Sequence, residues 1–150
     1  MYLIDTNVIS EVGKGRRCNR QVAEWFRGVR DDELFLSVLV IGEIRQGIER
    51  LRTRNSRRAQ ALEKWLEELL QAFGDRVLPV DQKVAQNWGR LNAHITFPVV
   101  DSLLAATAEA HGLTLVTRNL KDIERSGVRC MNPFEAAQWS RLATRADGRI

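Results

Sequence analysis

Three carboxylates stand at positions where a carboxylate is costly without a reason. Asp5 closes the short apolar run Tyr2-Leu3-Ile4, Glu43 lies inside the segment that follows Leu34-Phe35-Leu36, and Asp101 opens the small-residue run that ends before Leu113. A short apolar run bounded by turn-formers reads as a buried strand. Asp5 then sits at the carboxyl end of that strand, where open α/β sheets place their ligand sites. Burying a carboxylate costs desolvation unless positive charge meets it. Each residue also has a plain structural reading: Asp5 as a helix cap, Glu43 as a surface helix residue near Arg45 or Arg50, Asp101 as an N-cap. Gathered together, three like charges raise one another's pKa unless a counter-charge separates them. A hard divalent cation with oxygen ligands supplies that counter-charge.

The elements that would position these groups follow from pattern. Val8–Val12 predicts a short helix capped by the Asp5-Thr6-Asn7 turn, and Asn19 caps a second helix running to about Arg27. Leu34–Leu36 predicts a strand, and Ser37 caps a helix from Val38 to about Leu51, with residues 41, 44, 48 and 51 apolar at helical spacing. The arginine-rich stretch from Arg50 to Arg58 reads as a basic connection. Ala59–Phe73 predicts an amphipathic helix striped by Leu62, Trp65, Leu66, Leu69 and Leu70, so that two successive helices form a hairpin standing off the sheet. Val77–Val80 predicts a short strand, placed at an edge or at a strand end by Pro79. Asp81 caps a helix to about His94; Asp101 starts the next, with Gly112 at its C-terminal end. Leu113–Val116 and Val128–Cys130 complete the strands, with a short helix from Leu120 to Glu124 between them. Phe134–Leu142 predicts a last helix and Ala143–Ile150 a frayed tail. Strands alternating with helices give an α/β sandwich with a mostly parallel sheet.

Composition narrows the class. A chain of 150 residues, 44% hydrophobic and 28% charged, fits one ordinary globular domain over 1–150. No run approaches a membrane span. The chain enters its first strand at once, which leaves no signal peptide and points to the cytoplasm. Cys18 and Cys130 lack metal-ligand spacing and sit away from His94 and His111, so two buried thiols are expected rather than zinc ligands. The net charge is +4, carried by 19 Arg against 4 Lys. Guanidinium grips phosphate bidentately, so nucleic acid is one partner this bias suggests; an arginine-rich source proteome is the other explanation.

Four stretches together carry a resemblance: Leu3-Ile4-Asp5-Thr6-Asn7-Val8-Ile9-Ser10; Leu36-Ser37-Val38 leading to Gly42-Glu43-Ile44-Arg45-Gln46-Gly47; Val100-Asp101-Ser102-Leu103-Leu104-Ala105-Ala106-Thr107-Ala108; and Leu115-Val116-Thr117-Arg118-Asn119. In this order they resemble the PIN-domain ribonucleases, most closely the VapC-type toxins of bacterial toxin–antitoxin pairs, over Met1 to about Phe134. The resemblance implies a PIN-like three-layer sandwich with a protruding helical hairpin. It also implies an endoribonuclease dependent on Mg²⁺ or Mn²⁺, inhibiting translation by cutting RNA such as tRNA or rRNA. Asp5, Glu43 and Asp101 fall on the family's acidic positions, with Asp5 and Asp101 as direct metal ligands. The fourth position, often Asp in the family, is Asn119 here, which removes one charge; Asp122 could replace it or simply cap the short helix. Thr6 and Thr117 match positions whose hydroxyls hold carboxylates or water. No His or Lys is placed as a general base, so a metal-activated water is the expected nucleophile. Arg118 and Arg45 are the arginines expected to meet RNA. The resemblance further implies a homodimer, and a VapB-like antitoxin that covers the site and carries the complex to operator DNA. Two rivals remain: a catalytically weak RNA- or protein-binding PIN module, suggested by Asn119, and phosphoryl transfer through Asp5, disfavoured because Asn7 stands where such phosphatases use Asp.

Overall fold

The computed structural model describes residues 1–135. Five parallel strands form one sheet: β1 (Tyr2–Ile4), β2 (Leu34–Ser37), β3 (Val77–Leu78), β4 (Thr114–Val116) and β5 (Cys130–Met131), in the order β3-β2-β1-β4-β5. The chain steps outward from β1 to β2 to β3, then crosses back over β1 to β4 and β5. The direction of winding therefore reverses between β1 and β4. In a parallel sheet this reversal opens a crevice at the carboxyl ends of the two strands. Register fixes what lines it: Ile4 pairs with Val116, so Asp5 and Thr117 leave the sheet side by side. The Asp5 amide donates to the Val116 carbonyl at 2.9 Å and the Thr117 amide to the Met131 carbonyl at 3.0 Å.

Helices α1 (Thr6–Val12), α2 (Arg20–Gly28), α3 (Val38–Arg52) and α4 (Ser56–Phe73) fill the outward crossovers. Helices α5 (Gln82–Asn92) and α6 (Val99–Ala110) fill the return, and α7 (Lys121–Glu124) precedes β5. Right-handed crossovers in opposite directions put the two sets on opposite faces of the sheet. The starts of several helices were legible. Asn19 caps α2 through the amides of Gln21 and Val22, Ser37 caps α3 through Leu39, and Asp81 caps α5 through Val84. Leu3, Ile4, Leu36, Leu115 and Val116 are fully buried at the centre of the core. Helix α6 carries mostly small buried residues, from Ser102 through Ala105, Ala106 and Ala108 to Ala110, which let its backbone lie close to the strands and α5. The half-buried Trp88 finds an acceptor for its indole N–H on Ser102 Oγ at 2.9 Å.

Several expectations change. The arginine-rich stretch is no loop: α3 runs through Arg52, α4 begins at Ser56, and only Thr53–Asn55 lie between. Arginine is a good helix former, so its density did not mark a break. The hairpin is also tied into the core, because Ala59, Leu66, Leu69 and Phe73 of α4 are buried in the same cluster as the sheet. Of its proposed stripe, Leu70 is exposed and Leu62 and Trp65 are half-buried. In α3 the buried positions are 40, 44 and 48, with Ile41 and Leu51 only half-buried. Strand β3 stops at Leu78, before Pro79, and holds the edge position predicted for it. β5 is Cys130–Met131 rather than Val128–Cys130, since the Ser126-Gly127 turn (Gly127 φ +78°) delays its pairing until Cys130 meets Leu115. Both thiols are half-buried, not buried. Phe134 lies in a turn rather than starting a helix; the rest of the last predicted helix and the tail lie outside the described residues.

Candidate active site

Asp5 is only 6% exposed, at the end of β1. It is the N-cap of α1 and accepts the Thr6 amide on Oδ1 at 2.6 Å. Its other oxygen accepts two further donors, Asn7 Nδ2 at 2.7 Å and Thr117 Oγ1 at 2.7 Å. Capping thus occupies one oxygen of Asp5, and the other is held by Asn7 and Thr117. All three donors are neutral. Among the described residues, no ion pair involves Asp5 or Glu43.

Two hydrogen-bonded arms extend from Asp5. On one side Thr6, its neighbour, donates its hydroxyl to Glu43 Oε2, which joins α1 to the second turn of α3. On the other side Thr117 Oγ1, fully buried, accepts the Asn119 amide at 3.1 Å, and Asn119 Nδ2 makes a long 3.4 Å contact to Asp101 Oδ2. Asp5, Thr6, Glu43, Thr117, Asn119 and Asp101 therefore lie in one chain of contacts along the crevice. Asp101 is the third residue of α6 rather than its cap; Pro98 occupies the N-cap position and makes no side-chain cap bond. A carboxylate in that first turn is favoured by the helix dipole. Asp122 is the second residue of α7, whose N-cap position is Leu120.

Asn7 is the residue that sequence reasoning undervalued as a mere turn former. Its amide nitrogen reaches Asp5 and, at 3.3 Å, Thr117 Oγ1, and its Oδ1 accepts the Arg118 amide at 3.1 Å. It ties the two strand ends together across the crevice. The only signal in the sequence was its place two residues after Asp5, which could not reveal partners 110 residues away.

The two arginines expected at the mouth are engaged. Arg118 lies over the Phe134 ring, 4.9 Å from its centroid, at the rim beside Asn119. Arg45 pairs with Glu63 of α4 and with Glu49, and Arg52 pairs with the same two carboxylates, so both staple the hairpin.

The donors along the crevice are carboxylate, amide and hydroxyl oxygens, which suit a hard cation such as Mg²⁺ or Mn²⁺. A nearly buried Asp5 met only by neutral donors fits the same chemistry. Among the described residues, however, no three acidic, His or Cys side chains converge tightly enough to form a ready cage. Glu43 and Asp101 are instead turned to Thr6 and Asn119.

A sheet that reverses between β1 and β4, with acidic groups along the reversal, defines an α/β protein with a carboxylate-edged crevice. The chain belongs to the PIN-domain family, whose profile matches residues 2–126. It is 33% identical to VapC ribonuclease Y4jK of Sinorhizobium fredii, covering 91% of this chain and all of the relative. It is 31% identical to toxin FitB of Neisseria gonorrhoeae, covering 89% of this chain and 99% of that one. A solved structure of FitAB bound to IR36 DNA superposes with a TM-score of 0.81 at 29% identity, covering 90% of this chain and 96% of that one. No described helix is long and apolar enough to cross a membrane.

Proposed function

We propose that this chain is a metal-dependent endoribonuclease, the toxin of a toxin–antitoxin pair, acting on structured RNA such as tRNA or rRNA in the cytoplasm. One observation carries the proposal: Asp5 is buried at the β1/β4 reversal with only neutral donors, in a contact chain that reaches both Glu43 and Asp101. Asp5 and Asp101 would hold Mg²⁺ or Mn²⁺ directly, and Glu43 would act through water. A divalent cation bound there offsets charge developing on the scissile phosphate and acidifies water. Thr117 and Asn7 fix the Asp5 carboxylate, and the Thr6 hydroxyl holds one Glu43 oxygen so that the other can orient an attacking water. Asn119 orients Asp101 and adds no charge, which favours one tightly held cation over two. Arg118 faces phosphate at the rim. In-line attack leaves a 5′-phosphate and a 3′-hydroxyl.

The names of the relatives support the same assignment, since one is called a ribonuclease and another a toxin. The partner is a VapB-like antitoxin whose C-terminal segment covers the crevice. The toxin forms a homodimer, and the antitoxin carries the complex to operator DNA, as the DNA-bound FitAB structure suggests. The test is cleavage of total RNA by purified protein in Mg²⁺, in EDTA, and with Asp5→Asn. Cleavage is expected only in the first case; cleavage that survives both treatments removes the proposal. A second reading, a catalytically weak binding module, is favoured by Asn119 and by the loose spacing of the carboxylates. Titration with Mn²⁺ separates the two: RNA binding without Mn²⁺ binding supports the module.

A further inference from the structure

Beside the crevice, sharing Thr6 and Glu43 with it, runs a second feature whose far end the site does not use. A groove of about 380 Å³ between α1, α3 and α4 begins at Thr6 and Glu43 and ends at Arg50, Arg54 and Arg58. The arginines recur every fourth residue across the α3–α4 turn, all three exposed. Their neighbours Arg45 and Arg52 are neutralised by Glu49 and Glu63, but among the described residues Arg50, Arg54 and Arg58 have no carboxylate partner. Arg58 stands in the first turn of α4, which holds no acidic residue. Positive charge at a helix N-terminus opposes the dipole, so its placement there costs the free protein stability and is relieved by an anion. The groove wall includes Leu51 and Leu62, both half-buried, which leave apolar surface suited to a ribose or base face. We infer that this groove seats the RNA backbone next to the scissile bond, with Arg50, Arg54 and Arg58 as its phosphate contacts.

The inference rests on the ribonuclease reading, and it names a substrate path which that reading lacks. Two features favour nucleic acid over a peptide. The positive charge is spaced as a row rather than a single point. The row is also continuous with the crevice, so a strand whose scissile phosphate lies by Asp5 and Glu43 can pass directly onto it. Glu43 repels flanking phosphates at one end, and the arginines attract them at the other.

The test is fluorescence anisotropy of a labelled single-stranded oligoribonucleotide with the full chain in EDTA, over a range of salt. Each phosphate contact to a single strand contributes about 0.7 to the slope of log affinity against log salt. Replacing all three arginines by Gln is therefore expected to lower the slope by about 2 and, near roughly 0.1 M salt, to weaken binding about a hundredfold. Replacing all three by Lys retains charge and is expected to keep most of the slope, which also guards against a folding defect. Arg57→Gln, in the same turn but outside the groove, is expected to change little. The inference is overturned if the triple Gln variant binds like wild type, if Arg57→Gln does as much as the triple change, or if the triple change spares RNA while abolishing binding of an acidic peptide. A parallel cleavage assay of the wild type and the triple Gln variant in Mg²⁺ separates the two claims. RNA cleaved normally by the triple Gln variant removes the groove alone; a wild type that neither binds nor cuts RNA removes both.

Discussion

Thr117 is the position where the geometry makes its sharpest demand. The hydroxyl is fully buried, donates to Asp5 Oδ2 at 2.7 Å, and accepts the Asn119 amide at 3.1 Å. Thr117→Val keeps the shape and removes both roles. The Asn119 amide belongs to an exposed residue and can turn to water. The loss that matters is a hydrogen bond to a nearly buried carboxylate, about 2 kcal/mol. For a chain of this size that amounts to a fall in Tm of about 4–8 °C. Metal-free thermal unfolding followed by circular dichroism reads it directly. In an Asp5→Ala background the same Thr117→Val change should cost little, because its partner is gone, so the double-mutant cycle should return a coupling near the full 2 kcal/mol. A Tm shift of under about 1 °C for Thr117→Val, or the same loss in both backgrounds, would refute the claim that Thr117 holds Asp5.

Further outcomes follow from other contacts. Asn119→Asp places a second carboxylate 3.4 Å from Asp101; it should lower Tm in EDTA and raise it more than wild type on adding Mn²⁺, read by a thermal shift in both conditions. Gly13→Ala adds a Cβ that would come within 2.7 Å of the Trp65 ring, so urea unfolding should show a loss of about 1–3 kcal/mol although the backbone conformation there (φ −60°) suits Ala. Glu63 is held below the ordinary Glu range by hydrogen bonds from Arg52 and then Arg45. A carboxylate whose folded pKa is depressed stabilises above its unfolded pKa, and that stability is lost as pH falls through the folded value. Glu63→Gln should therefore lower stability at neutral pH and match wild type in acid, checked by denaturation midpoints across pH. Cys130, pushed up to about 11 by burial and then by Glu124, should alkylate more slowly at mildly alkaline pH than an exposed thiol peptide, as mass spectrometry of labelled protein would show.

What the sequence revealed follows the range of each interaction. Caps at Asn19, Ser37 and Asp81 are local, decided within three residues, and each was readable. The strand ends bearing Asp5 and Thr117 were readable because short apolar runs stop at polar turn-formers. The misreadings have equally physical causes. Asp101 looked like a cap because Asp often is one, yet the helix had already started after Pro98. The Arg50–Arg58 stretch looked like a loop because of its charge, although only Thr53–Asn55 break the helical pattern. Arg45 lies two residues from Glu43 in sequence, but Glu63, eighteen residues on and across the hairpin, captures it. Neither that pairing nor the reach of Asn7 to Thr117 leaves any trace in local composition.

The placement of neutral donors around Asp5 explains how a site can be acidic and still fold. Three converging carboxylates without an ion would repel one another, and the cost would fall on the fold itself. Here each acid is assigned its own donor: Asp5 has Thr6, Asn7 and Thr117, Glu43 has Thr6, and Asp101 has Asn119. The acids are thereby linked yet held apart, which is consistent with their failure to form a closed cage among the described residues. Because the donors to Asp5 are neutral, a divalent cation can displace them there without breaking an ion pair. A Lys or Arg in the position of Asn7 would satisfy Asp5 more strongly and compete with any cation. Asn7→Lys also gives up the acceptor that holds the Arg118 amide, so its diagnostic is the metal rather than the fold: Mn²⁺ binding, followed by calorimetric titration, should weaken at least tenfold, and unchanged Mn²⁺ affinity would count against Asp5 as a ligand.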